Sequence, residues 1–157
     1  VTRTARVIIA STRAADGVYE DRTGPLIQQW LIGRGFDVGQ LAVVADGEPV
    51  RLALQAALRD CDLVITSGGT GISPTDTTPQ LTRELLDYEI PGLADAIRRS
   101  GLPAVPTAVL SRGVCGVAGR TLVINLPGST GGVRDGLSVL NEVLDHALDQ
   151  LCGGDHR

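Results

Sequence analysis

Three short aliphatic runs, Ala5–Ala10 (ARVIIA), Leu63–Thr66 (LVIT) and Thr121–Leu126 (TLVINL), each stop abruptly in polar or glycine-rich sequence. Unbroken runs of Val, Ile and Leu suit strands that are buried on both faces, as in parallel sheets. Between them the apolar residues change to helical spacing: Leu26, Ile27, Trp30 and Leu31 after Pro25; Val50, Leu54, Ala57 and Leu58 to about Asp60; Leu81, Leu85 and Leu86; and Val133, Leu137, Leu140, Leu144, Ala147 and Leu151. With Leu41–Val44 and Thr107–Leu110 as further strands and a short helix after Pro91, strands alternate with helices, which predicts an α/β fold with a mostly parallel, doubly covered sheet.

One Trp, one Phe and two Tyr leave the core to aliphatic side chains, and 157 residues at 43% hydrophobic content suffice for one domain spanning 1–157. The tail from Gly153 to Arg157 is expected to fray. All 14 Lys+Arg positions are Arg, which removes a Walker A lysine, a Schiff-base lysine and a lysine general base. The net charge of −4 and the scarcity of aromatics supply neither the basic footprint nor the stacking platform of a nucleic-acid binder. The longest uncharged stretches, Leu63–Thr75 and Thr121–Val133, are too short and too rich in Gly and Ser to span a bilayer. The N-terminus has no signal-peptide layout, and three cysteines (Cys61, Cys115, Cys152) without CxxC spacing suggest free thiols in the cytoplasm. They read as buried and unreactive rather than as zinc ligands.

Only two histidines are present, His156 in the tail and His146 on the polar side of the last helix, so a Ser-His-Asp triad is not expected. The remaining inventory of hydroxyls, carboxylates, Arg and backbone N–H groups suits phosphates and Mg²⁺. The third strand leads into Ser67-Gly68-Gly69-Thr70-Gly71, and the last into Pro127-Gly128-Ser129-Thr130-Gly131-Gly132. Ligands of open α/β sheets lie beyond the carboxyl ends of strands, where both loops fall. Asp46 follows the second strand and Asp76 closes the loop after the third, so adjacent strands would bring both carboxylates to that edge. Each has a simpler reading, Asp46 as a turn former before Gly47 and Asp76 as a helix N-cap. Jointly with the loop they match Mg²⁺ held by one or two carboxylates plus substrate phosphates.

The segments TSGGTGISPTDTTPQ (Thr66–Gln80), PGLADAIR, LSRGVCGVAGRTLVINLPGS and the closing amphipathic helix resemble, in this order and over nearly the whole chain, the MoaB/Mog family, similar to molybdopterin adenylyltransferases and the gephyrin G domain. The resemblance implies a three-layer α/β/α sandwich and a homotrimer (Mog branch, favoured) or hexamer (MoaB branch). It also implies Mg²⁺-dependent adenylylation of molybdopterin by ATP, with pyrophosphate released and the product passed to a molybdate-insertion enzyme. By position it makes Asp46 and Asp76 the catalytic and metal-binding carboxylates. Ser67, Gly68, Gly69, Thr70, Gly71, Asn125, Pro127, Gly128 and Ser129 fall on ligand loops, and Ser111 and Arg112 on the region holding the pterin's phosphate. Ser11 lies in the first loop, where Asp21, Thr23 and Gly24 match the pattern D-x-[ST]-G. The chain departs from the family at Thr75, where many members carry Arg, and at Thr12, where many carry Asp. A non-catalytic pterin-binding scaffold and a CinA-like nucleotide pyrophosphatase are the competing expectations.

Overall fold

A computed structural model describes residues 2–153; His156 and the expected frayed end beyond Gly153 lie outside them. Seven strands form one sheet: β1 (Thr4–Ala10), β2 (Asp37–Val38), β3 (Ala42–Val44), β4 (Leu63–Ser67), β5 (Tyr88–Glu89), β6 (Cys115–Ala118) and β7 (Thr121–Leu126). Their order is β2-β1-β4-β7-β6-β5, with β3 also beside β1. Strands β2 and β3 pair with the first and last parts of β1, so they are two pieces of one edge strand. Every pairing from that edge to β7 is parallel; β6 alone runs against the other strands, antiparallel to both β7 and β5.

The three aliphatic runs became the strands with two buried faces. Ala5, Val7 and Ile9 of β1 pack on one side with Ile27 and Leu31, Ala94 and Ile97, and Val133, Leu137, Leu140, Leu144 and Leu148. Those residues belong to α2 (Thr23–Gly33), α5 (Pro91–Arg99) and α6 (Thr130–Leu151). On the other side Ile8, Val64 and Val123 meet Val50, Leu54 and Ala57 of α3 (Glu48–Ala57) and Leu81 of α4 (Thr78–Leu85). The alternation of neighbouring strand residues between these two clusters is the period of two of a strand, with helices covering both sides. The result is the expected three-layer α/β/α sandwich.

Several local expectations are corrected. Thr107–Leu110 is not a strand but lies in a 3₁₀ turn, Pro106–Leu110. Pro106 has no N–H to give a sheet ladder, and Val105, Val109 and Leu110 stay exposed. The two-residue strands β2 and β5 carry too little pattern to be read, and β6 was missed because Gly116 interrupts its apolar run; at that glycine a side chain would collide with the Tyr88 carbonyl. A four-residue helix, α1 (Thr12–Ala15), occupies the start of the loop after β1. Asp76 is not the cap of α4, since Thr77 holds that position and Pro79 sits in the first turn.

Cys61 and Cys115 are buried as expected, but Cys152 is exposed at the end of α6. The apolar stripe of that helix places its last fully covered residue at Leu148. Burial pushes the Cys61 thiol up to about 11 and the Cys115 thiol up to about 12. At pH 8, a thiol reagent should therefore label one cysteine per folded chain, Cys152, and reach three only in denaturant. Because both folded values lie above the ordinary 9.0, the unfolded chain releases these protons first. This contribution to stability is whole below pH 9 and is lost as pH rises through 11. Rapid labelling of two or three thiols in the native protein would contradict the burial.

Candidate active site at the ends of the parallel strands

The parallel strands β3, β1, β4 and β7 all end at one edge of the sheet. Chain order makes β1 the turning point: α2 carries the chain from β1 to one side, and α3 carries it back across to β4 on the other. A crevice opens at such a reversal. It is lined from β1 by Ile9 and Ala10, from the following segment by Ser11, Thr12, Arg13, Tyr19, Asp21, Arg22 and Thr23, and from the other strand ends by Asp46, Ser67, Gly68, Gly69 and Gly128. Thr75 and Asp76 close it, and the cavity measures about 870 Å³.

Asp46 and Asp76 thus share a wall, but not because their strands are neighbours. Strand β1 lies between β3 and β4, and both aspartates line the cavity beyond its end. Asp46 is oriented by Thr12 in a reciprocal pair: Thr12 Oγ1 donates to Asp46 Oδ2 (3.1 Å) and accepts from the Asp46 backbone N–H (3.1 Å). The Ser73 N–H donates to Asp76 Oδ2 (3.1 Å), while the Asp76 N–H returns to the Ser73 carbonyl (2.9 Å), a closed turn that aims the carboxylate. Among the described residues no three of His, Cys, Asp and Glu gather into a cation site of their own.

The floor is made by close backbone approach. Gly68 has φ of +96°, and a Cβ there would overlap the Ala10 carbonyl oxygen; Gly128 stands over Gly68 on the far side. At Gly69, φ +66°, a Cβ would meet Thr78 Oγ1 and Asp46 Oδ1. Glycine is therefore demanded twice over, by conformation and by space. Ser67 Oγ donates to the Pro127 carbonyl (2.7 Å) and lies 3.2 Å from Thr23 Oγ1, tying β4 to the loop after β7 and to the start of α2. Asp21 Oδ1 accepts from the N–H groups of Thr23 (3.1 Å) and Gly24 (3.2 Å), so it satisfies the first turn of α2, and Asp21 Oδ2 is buried without a hydrogen-bond partner among the described residues. Gly24 packs against Asp21 and Leu41 with no room for a side chain. The hydroxyl of Ser11 caps α1 and lies 2.7 Å from Tyr19 Oη.

The Ser67–Gly71 loop is shared with a second cavity. Thr70 and Gly71 turn away from the first and line a space of about 420 Å³ with Pro127, Ser129, Ser111, Ile97, Val105, Ala108 and Leu110. Its wall is largely apolar, in contrast to the charged first cavity. Asn125 enters neither. It is buried, its Nδ2 donates to Thr66 Oγ1 (2.9 Å) and Thr82 Oγ1 (3.2 Å), and its Oδ1 accepts from the Val114 N–H (3.1 Å). With these bonds it braces β4, α4 and the start of β6. The guanidinium of Arg112 likewise points at loop carbonyls rather than into either cavity. Sequence reasoning missed Arg13 and Arg22, the cations on the first cavity's wall. The only signal was that the polar stretch Ser11–Gly24 carries them.

A family model described as "Probable molybdopterin binding domain" matches residues 6–146. The chain is 39% identical over 155 residues to the molybdenum cofactor biosynthesis bifunctional protein of Synechococcus elongatus, covering 97% of this chain and 48% of that one. It is 35% identical to the molybdopterin adenylyltransferase of Helicobacter pylori over 94% of this chain and 86% of the relative. The chain thus spans about half of the bifunctional relative and most of the other. The solved structure of the molybdopterin biosynthesis Mog protein from Mycobacterium ulcerans superposes with a TM-score of 0.93 at 66% identity, over 96% of this chain and 99% of that one.

Proposed function

Because the chain belongs to the MoaB/Mog family of molybdopterin-binding domains, we propose that it serves molybdenum cofactor biosynthesis by transferring the adenylyl group of ATP to molybdopterin. The observation that carries this reading is the meeting of two unlike cavities at one glycine loop. A charged one fits a triphosphate and a largely apolar one, with the hydroxyls of Ser111 and Ser129 on its wall, fits a flat, polar-edged ring system, with Ser67–Gly71 between them.

The reacting oxygen belongs to the pterin's phosphate, which is already substantially a dianion at neutral pH, since the second pKa of a phosphate monoester is about 6. It forms a bond to the α-phosphorus of ATP, the bond from that phosphorus to the β-bridging oxygen breaks, and pyrophosphate leaves with the electron pair. No side chain has to remove a proton. The work of the protein is alignment and charge neutralisation, and the absence of lysine and of a placed histidine costs it nothing.

The N-termini of α2 and α6, at Thr23 and Thr130, both open onto the first cavity and favour anions there. Arg13 and Arg22 stand on the same wall and supply positive charge that Thr75 does not. Even so, Glu20, Asp21, Asp46 and Asp76 outnumber the two arginines. A naked triphosphate would be repelled, and this excess of carboxylate supports entry with a divalent cation. Asp46 and Asp76 would hold Mg²⁺ between protein and phosphates, a two-carboxylate arrangement that suits this ion; its charge offsets that of the phosphates.

In this reading residues 1–157 form one working domain in the cytoplasm, assembled as a homotrimer and delivering its product to a molybdate-insertion enzyme. The exposed Val105, Val109 and Leu110 support self-association. Among the described residues no helix is long and apolar enough to cross a membrane. Thr75 favours one second reading, a scaffold that holds pterin without turnover. Incubation with molybdopterin and MgATP decides between them: equimolar adenylylated pterin and pyrophosphate are expected. Tight pterin binding with no measurable MgATP binding would establish the scaffold instead.

A further inference from the structure

The segment from Gly68 to Thr77 has no regular structure, and Ile72–Thr75 run exposed over the surface, yet it ends by presenting Asp76 to the first cavity. Its internal bonds close only the Ser73–Asp76 turn. Its two ends are held by the Thr78 N–H on the Gly69 carbonyl (3.2 Å) and the Gly68 N–H on the Leu126 carbonyl (3.1 Å), and the side-chain bonds that fix the turn between them come from one residue outside it. The Arg112 backbone N–H donates to the Thr70 carbonyl (2.7 Å), Nε donates to the Gly71 carbonyl (2.8 Å), and Nη2 donates to the Asp76 carbonyl (2.7 Å). Nη1 reaches Gln80 Oε1 (3.1 Å), in the first turn of α4. A single rigid, planar fork therefore spans both ends of the loop, a geometry that the point charge of a lysine cannot copy.

The anchor is itself anchored. Arg98, on α5, donates through Nη1 to the Gly113 carbonyl (2.8 Å) and lies 3.4 Å from the Ser111 carbonyl. A continuous series of contacts runs from the packed helix α5, through Arg98 and Arg112, to the loop that carries Asp76. Ser111, one residue before, lines the second cavity, whereas Arg112 lines neither of the two cavities assigned to substrates.

We propose that Arg112 is a positioning residue that clamps the Gly71–Asp76 loop and thereby places the Asp76 carboxylate, rather than a ligand of a substrate phosphate. The kinetic arm of this inference rests on the adenylyltransferase reading; its structural arm does not. Losing the side chain frees two backbone carbonyls, of Gly71 and Asp76, to turn toward water, and a carboxylate displaced by about 1 Å costs about a hundredfold in rate.

The test uses the full chain and the variants Arg112→Ala and Arg112→Lys. Amide hydrogen exchange over residues 70–77 should quicken about tenfold or more in both, with exchange in β4, β7 and α6 unchanged. With molybdopterin and MgATP, kcat should drop about a hundredfold while pterin KM, and pterin Kd by calorimetry without nucleotide, stay within about threefold. Added guanidinium should restore part of the turnover in Arg112→Ala. In an Asp76→Asn background the same substitution should add little, because the group it positions is already gone. A pterin Kd weakened about tenfold with unchanged loop exchange would overturn the clamp in favour of a phosphate ligand, as would full rescue by Lys. If the wild-type protein makes no adenylylated pterin, the enzymatic reading fails, while exchange and pterin binding still decide the role of Arg112. Should Arg112→Ala fail to fold, the Lys variant carries the comparison.

Discussion

Asp76→Asn and Asp46→Asn should each lower kcat for adenylylation by about a hundredfold or more while leaving the fold intact. Both substitutions remove a charge and keep an oxygen. In the first, the remaining Oδ can still accept from the Ser73 N–H, and in the second the Thr12 hydroxyl retains its acceptor. Loss of activity is then attributable to charge, which a polar isostere does not replace. The magnitude follows from removing one preorganised electrostatic partner of the reacting phosphates, an effect worth about 10²–10³ in rate. If the two carboxylates hold one cation, the double variant should be scarcely worse than either single one, since residues that act as a unit are not additive. Each single variant should also require more Mg²⁺ for half-maximal rate. Steady-state rates over a Mg²⁺ titration measure all three points. Wild-type kcat in both single variants would remove the aspartates from the mechanism.

Gly68→Ala should be the most damaging single methyl in the protein. The residue holds φ at +96°, where an L side chain is strained by about 1–2 kcal/mol. Its new Cβ would also overlap the Ala10 carbonyl, which is backbone at the buried end of β1 and cannot rotate away. Overpacking of this kind costs about 1–3 kcal/mol. Together they give about 2–5 kcal/mol, or a fall in Tm of about 4–20 °C for a chain of this size. The backbone shift needed to relieve the overlap would separate β1 from β4 at the cavity floor, so activity should vanish even where the variant folds. Gly119→Ala is the matched control: φ is +61°, but no atom lies within 4 Å of the added methyl. It should show the conformational penalty alone. Equal Tm values for the two variants in thermal unfolding would refute the close approach as the reason for glycine at 68.

The parts of this protein that could be read directly were those in which local chemistry and final environment agree. ARVIIA, LVIT and TLVINL are mostly aliphatic and β-branched at consecutive positions, a pattern that suits a short strand covered on both sides. The structure places all three side by side at the centre of the sheet. TAVL has the same composition but follows Pro106 and has no neighbour to pair with, and it became an exposed turn. The two strand-end glycine loops were legible from their composition, but only Gly68 and Gly69 of the first combine a positive φ with a close approach that excludes other residues.

What composition and spacing could not show were the relations between distant segments. Asp46 and Asp76 line one cavity at the end of β1, an arrangement set by the order of strands in the sheet rather than by the sequence between them. Asn125 matched a ligand loop by position, but at a strand end its direction depends on the pleat, which turns it toward Thr66 and Thr82. Cys152 reads like the other thiols until the rotation of α6 exposes it. Thr75 left a cation unaccounted for, and Arg13 and Arg22 came onto the same wall from the loop after β1.

The sequence by itself determined an α/β sandwich with a lysine-free, phosphate-oriented edge, because burial patterns and glycine requirements are local properties of the chain. Tertiary structure alone decided which carboxylates share a cavity, which arginines face it and which one holds its loop, because those depend on strand order and side-chain direction across 30 or more residues of intervening chain.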